Sequence, residues 1–143
     1  MTTDISNSDD MIDVRDIIAR IEELEPEVSI LIGIDNEAEP AKFAEQIAQD
    51  ERDEPAELHR LYVLMADMCG YGGDEQWRGD WYPITLIRDT HFQDYAEELA
   101  EDCGMINKGA TWPNNCIDWE RAARELQGDY STIEYEGVTY WYR

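Results

Sequence analysis

Residues 131–143 read STIEYEGVTYWYR, and this stretch decides the fold. Two runs, Ser131–Tyr135 and Val138–Arg143, flank Glu136-Gly137, a two-residue turn of the kind that joins neighbouring antiparallel strands. Folding about that turn pairs Tyr135 with Val138, Ile133 with Tyr140 and Ser131 with Tyr142. Nearly all the apolar side chains then share one face, while Thr132, Glu134, Thr139 and Trp141 take the other. A hairpin with one apolar face needs helices to cover it. Upstream, WYPITLIR (81–88) supplies another strand over Pro83–Arg88, with Pro83 near its start, where a missing donor is tolerated. The expected class is α+β: an antiparallel sheet of about three strands ending in the C-terminal hairpin, covered by several short helices.

The helices follow from apolar spacing. Asp13 caps a helix whose stripe is Val14, Ile17, Ile18, Ile21 and Leu24, with Asp16 as a weak capping-box partner, and Pro26 is expected to end it. The run VSILIGI (28–34) is β-branched and short, and periodicity alone leaves it either a buried strand or helix. After a turn over Asp35–Pro40, Phe43, Ala44, Ile47 and Ala48 mark a short helix. Asp53 is the expected cap of the next, with Pro55 in its first turn and Leu58, Leu61, Tyr62, Met65, Met68 and Cys69 on one face. Gly70, Gly72 and Gly73 stop it, and residues 70–81 read as a loop. Thr90 and Gln93 form a capping box before the stripe Phe92, Tyr95, Ala96, Leu99 and Cys103, which Gly104 closes. A loop with Trp112-Pro113 follows. Asn115 caps a last helix with Trp119, Ala122, Ala123 and Leu126 inward, ended by Gly128. Residues 1–10 are polar and read as a frayed tail. The organisation expected is an acidic, mainly helical N-terminal region over residues 1–76 and an α+β C-terminal domain over residues 77–143.

The 143 residues carry 34 acidic against 11 basic side chains, a formal charge of −23. With 43% hydrophobic residues and 10% aromatics, five Trp and eight Tyr among them, the chain is too apolar for a disordered acidic tail. No run approaches a membrane span, the N-terminus lacks an apolar signal region, and three cysteines without paired spacing suit a reducing compartment. Such a charge repels phosphate, which excludes binding of nucleic acid or anionic membranes through a bulk basic surface. The acidity itself has two readings, solubility (including a halophile surface, which the presence of only Lys42 and Lys108 would suit) or a functional anionic face.

Catalytic and metal chemistry finds little support. Cys69, Cys103, Cys116, His59 and His91 sit on separate elements without zinc-ligand spacing, and Cys69 and Cys103 fall on apolar stripes, as core thiols do. Gly70-Tyr71-Gly72-Gly73 lacks the Lys-Ser/Thr of a phosphate loop. Cys116 at a helix start has no motif around it that would make it a nucleophile, and Arg78-Gly79-Asp80 reads as a chance adhesion tripeptide.

What remains is electrostatic. On the helix after His91, Asp94, Glu97, Glu98, Glu101 and Asp102 fall at i, i+3, i+4, i+7 and i+8, away from the apolar stripe and with no Lys or Arg at i±4 inside the helix. These carboxylates span roughly 12 Å, a linear charge density within about a factor of two of duplex DNA. Glu22, Glu23, Glu25 and Glu27, with Asp50, Glu51, Asp53, Glu54 and Glu57, extend the anionic surface. A folded object of this kind competes for clefts built to hold phosphates.

The segment HFQDYAEELAEDCG, the Trp-Pro-Asn loop, NCIDWERAARELQGDY and the closing GVTYWYR resemble the C-terminal domain of the ArdA antirestriction proteins, over about residues 91–143. That resemblance implies an acidic, dimeric DNA mimic carried by mobile elements, which inhibits Type I restriction–modification enzymes. It implies phosphate-mimicking roles for Asp94, Glu97, Glu98, Glu101, Asp102, Asp118, Glu120 and Glu125. The expected function is therefore inhibition of a host DNA-binding defence enzyme, with Type I restriction–modification first. A CRISPR effector complex is the alternative target. The rival class is a non-catalytic acidic interaction or regulatory domain whose charge serves solubility. No enzymatic activity, cofactor or metal is expected. The partner is a DNA-binding protein of host defence, with no direct binding of nucleic acid or membrane; a homodimer and a cytoplasmic location are expected. Replacing Cys116 by Ser is accordingly expected to leave inhibition of the target unchanged, as measured by the target's DNA cleavage in the presence of the variant.

Overall fold

A computed structural model describes residues 3–70, 72–107, 109 and 111–143. Tyr71 of the glycine loop, Lys108, and the first two residues of the expected tail lie outside the described residues. In chain order the elements are β1 (Met11–Asp13), α1 (Val14–Ile32), α2 (Pro40–Gln49), α3 (Asp53–Met68), β2 (Asp74–Trp77), β3 (Asp80–Tyr82), β4 (Thr85–Arg88), α4 (Phe92–Asp102), α5 (Trp119–Gln127), β5 (Ser131–Tyr135) and β6 (Val138–Tyr142). The class is α+β. A four-stranded antiparallel sheet has the order β1-β4-β6-β5, and β2 and β3 form a separate hairpin.

The C-terminal hairpin takes the register read from its sequence: Ser131 opposite Tyr142, Ile133 opposite Tyr140, Tyr135 opposite Val138. Glu136 and Gly137 have φ of 48° and 80°, the positive values that a tight hairpin turn matched to strand twist requires. Both faces of the sheet are covered. Ile133, Tyr135, Tyr140 and Tyr142 on the hairpin and Leu86 on β4 enter the larger core with Ile17, Ile21, Leu24, Leu58, Leu61 and Met65 of α1 and α3. The alternate residues Ile87 and Trp141 meet Phe92, Ala96 and Ala123 of α4 and α5 on the opposite face. The period of two along β4 and β6 thus assigns helices to two layers. The larger core draws residues from both sides of position 76.

Several local expectations are corrected. Pro26 does not end α1; the helix continues to Ile32, where Gly33 (φ 73°) caps it. Pro26 and Glu22 are exposed, so the carbonyl freed by the missing N–H faces water, while Val28 extends the buried stripe of Ile17, Ile21 and Leu24. Residues 28–32 are therefore helix, with Ile30 85% exposed. The loop expected at 70–81 contains β2–β3, turned at Arg78-Gly79, both with positive φ. Its strand residues are too polar to alternate, so the order comes from the turn and from Trp77. Gly73 is required there because a Cβ would overlap the Tyr82 carbonyl. The segment over residues 3–10 is anchored rather than frayed: Ile5 is buried, Asn7 donates to the Glu136 carbonyl, Arg88 donates to the Asn7 carbonyl, and β1 pairs with β4.

The caps also shift. Asp13 caps α1 as read, its carboxylate accepting from the Arg15 N–H, but Asp53 lies inside α3 behind the cap Arg52. Thr90 caps nothing and instead accepts from Arg88; the chain enters α4 through a 3₁₀ turn at Asp89–His91. Asp118, and not Asn115, caps α5. Cys103 is exposed, because α4 buries only Phe92 and Ala96 of its stripe, and Cys69, at the C-cap of α3, packs only partly against the larger core.

Tyr140 is fully buried at the middle of β6, and its hydroxyl donates to the Asp9 carbonyl at 2.8 Å. Tyr140→Phe is expected to cost about 1 to 2 kcal/mol, because it removes a hydrogen bond and strips a partner from a carbonyl at the sheet end. Urea unfolding monitored by circular dichroism measures this loss.

Candidate partner-binding surface

Helix α4 is set on the sheet by Phe92 and Ala96, with Phe92 ringed by Tyr95, Tyr130 and Trp141 at centroid distances of 5.6, 5.2 and 5.5 Å. Tyr95 and Tyr130 also join hydroxyls at 2.8 Å, and burial pushes the Tyr95 hydroxyl well above the ordinary tyrosine range. This anchoring fixes which side of α4 faces water. Asp94, Glu98, Glu101 and Asp102 are exposed. Glu97 is not: it is partly buried and turns toward the segment that includes Asn107, Asn114 and Trp119. Asp94 lies 4.0 Å from His91 Nδ1, and His91 also approaches Asp10 at 3.8 Å. Asp94, Glu98 and Asp102 make no ion pair with Lys or Arg among the described residues.

The α5 residues are placed differently. The Asp118 carboxylate accepts from the Arg121 N–H and so completes the helix start. Glu120 pairs with Arg124 at 3.6 Å and Glu125 with Arg121 at 3.5 Å, both across one helical turn on an exposed face. Because α4 packs against α5, the structure brings the two acidic helices side by side, and the arginines of α5, Arg121 and Arg124, pair within α5 itself.

The acids of residues 1–76 serve varied ends. Arg20 on α1 bonds Glu57 on α3 through two nitrogens, at 2.7 and 2.9 Å, and Glu23 at 3.2 Å; Glu23 in turn accepts from Thr3. Asp50 accepts from Arg52, which lowers its carboxyl to about 2. Glu25, read from sequence as part of the anionic surface, is buried at 8% exposure against Tyr62 and Arg78. Its partners lie 37 and 53 residues away, so no spacing signal could have found this contact. Glu22, Glu27, Glu51, Asp53 and Glu54 are exposed.

Among the described residues no group of three or more His, Cys, Asp or Glu is placed to hold a metal ion, and no helix is long and apolar enough to cross a membrane. The family model for antirestriction protein ArdA matches residues 1–139. The chain belongs to the ArdA antirestriction family. The ArdA match extends well beyond residues 91–143 and takes in α1, α2 and α3. No curated protein and no solved structure matches the chain. In this ArdA chain the acids outnumber the bases so far that pairing every cation still leaves a charge of −23. Self-repulsion of that size works against the compact state and is screened by salt. The melting temperature is expected to rise between about 10 mM and 500 mM NaCl, as followed by differential scanning calorimetry.

Proposed function

We propose that this chain inhibits Type I restriction–modification enzymes by occupying, as a DNA mimic, the cleft that holds their DNA. The carrying observation is the row of exposed carboxylates on α4, set on a rigid aromatic anchor. Like charges one turn apart cost a helix a few tenths of a kcal/mol each. Stability therefore does not account for Asp94 beside Glu98, or Glu98 beside Asp102. A cleft lined with Lys and Arg does account for them, since it gains affinity from charge and counterion release.

In this reading Asp94, Glu98, Glu101 and Asp102 make direct contacts, and Glu97 lies at the edge of the row. Asp118, Glu120 and Glu125 contribute less, because one is engaged as a helix cap and two stand beside arginines. Residues 77–143 carry the mimicking helices as a C-terminal unit, and residues 1–76 add acidic bulk. A homodimer would lengthen the anionic surface. The protein would act in the cytoplasm, where its target meets DNA, with no catalytic step and no cofactor.

Replacing Asp94, Glu97, Glu101 and Asp102 together by Asn or Gln keeps size and polarity and removes four charges. Stability is expected to stay equal or rise by some tenths of a kcal/mol, while binding to a Type I enzyme weakens by orders of magnitude. The slope of log affinity against log salt should fall by about 3, since three of the four positions make direct contacts. Glu120→Gln with Glu125→Gln should change affinity far less. Binding at several salt concentrations, with DNA cleavage alongside, checks both. A quadruple variant that folds and inhibits as well as the parent would mean that these carboxylates only solvate the helix.

A further inference from the structure

On the side of the larger core, α1, α2, α3 and the β2–β3 hairpin surround a cavity of about 430 Å³, a volume typical of ligand sites. Its walls are aromatic: Tyr62 stands 6.4 Å from Phe43 and from Trp77, and Trp77 stands 6.3 Å from Tyr82. Its polar end is the Glu25 carboxylate, 8% exposed. The Tyr62 hydroxyl and Arg78 Nη2 both donate to Glu25 Oε2, the latter at 2.7 Å.

The cavity already displays the chemistry it suits. The Arg78 guanidinium lies 4.1 Å over the Trp77 ring while it pairs with Glu25. Stacking on an indole combined with pairing to a buried carboxylate favours guanidinium over other groups. Yet the Arg78 side chain is 55% exposed, so it rests at the mouth and leaves the cavity open. It also comes from a turn position with φ 52°, where Asn, Asp or Gly is the ordinary choice. An adjoining groove of about 800 Å³ shares Glu25 and Arg78 and carries Glu22 and Glu37, an acidic approach for a cation.

We propose that this cavity binds an arginine side chain presented by a partner protein, and that Arg78, at its mouth, holds the Glu25 carboxylate in cis until the partner's arginine displaces it. One buried carboxylate pairs fully with one guanidinium at a time, so the two compete. The adjoining groove leaves room for backbone on either side of the arginine, which a residue within a chain can use and free arginine cannot. The site is on the other side of the sheet from α4 and does not depend on phosphate mimicry by the α4 carboxylates.

The test uses N-acetyl-arginine methylamide as probe, titrated into the full chain and followed by the Trp77 indole N–H resonance. R78A is expected to bind at least about tenfold more tightly than the parent, the gain from removing one exposed stacked ion pair. R78A/E25Q should lose that gain, N-acetyl-leucine methylamide should not bind, and free arginine should bind more weakly than the capped form. R78K, which keeps a charge but loses the planar fork, guards against a fold defect in R78A and should fall between the parent and R78A. Equal binding by the parent, R78A and R78K, or binding of the leucine probe as tight as the arginine probe, would overturn the proposal. Tighter binding of free arginine would overturn the assignment to a partner's side chain.

Discussion

The fold depends on the alternation of Tyr140 and Trp141 on β6. Adjacent residues of a strand point to opposite faces, so Tyr140 enters the core formed with α1 and α3 while Trp141 meets α4. β4 repeats the division with Leu86 and Ile87. A register slip of one residue would send each aromatic ring to the wrong layer. The Glu136-Gly137 turn guards against that slip from one end, and the pairing of Ile87 with Trp141 and Arg88 with Tyr140 from the other. Because α4 takes its orientation from Phe92 on Trp141, the outward carboxylates are aimed by the sheet.

A chain so rich in acid has few cations with which to hold itself together, and their placement is informative. Arg20 joins α1 to α3, Arg60 joins α3 to the hairpin turn at Glu136, Arg78 joins the small hairpin to α1, and Arg88 ties the N-terminal segment to β4. Each bridges segments distant in sequence. Asp94, Glu98 and Asp102 of α4 receive none of them among the described residues. These four arginines sit at seams between segments, whereas Arg15, Arg52, Arg121 and Arg124 pair with acids two to four residues away on the surface.

Much of the local structure was legible in the residues. The α1 stripe, the Asp13 cap, the break at Gly70 and the whole register of β5 with β6 followed from spacing and turn chemistry. The acidic row of α4 was legible on the same grounds, since an apolar stripe defines its own opposite side. Glu97 departs from it because a neighbouring segment, invisible to helical spacing, packs over that edge. The errors cluster where local preference and tertiary packing disagree. Pro26 is tolerated because its freed carbonyl is wet, and Asp118 outcompetes Asn115 because the chain turns in the 3₁₀ segment at Asn114–Cys116 before α5 begins.

By itself the sequence determined the net charge, the helical stripes, the C-terminal hairpin and the likeness of residues 91–143 to ArdA proteins, because each of these is a property of neighbouring residues. Only the tertiary structure decided that β1 joins the sheet, that residues 74–82 form a hairpin, and that Glu25, Tyr62 and Arg78 meet in one cavity. The first and last of these link positions tens of residues apart, and the hairpin is made of two strands too short to show a period of their own. The partners of β1 and of Glu25 are chosen by which surfaces the packed helices and sheet leave open, and that choice is written in no local stretch of the chain.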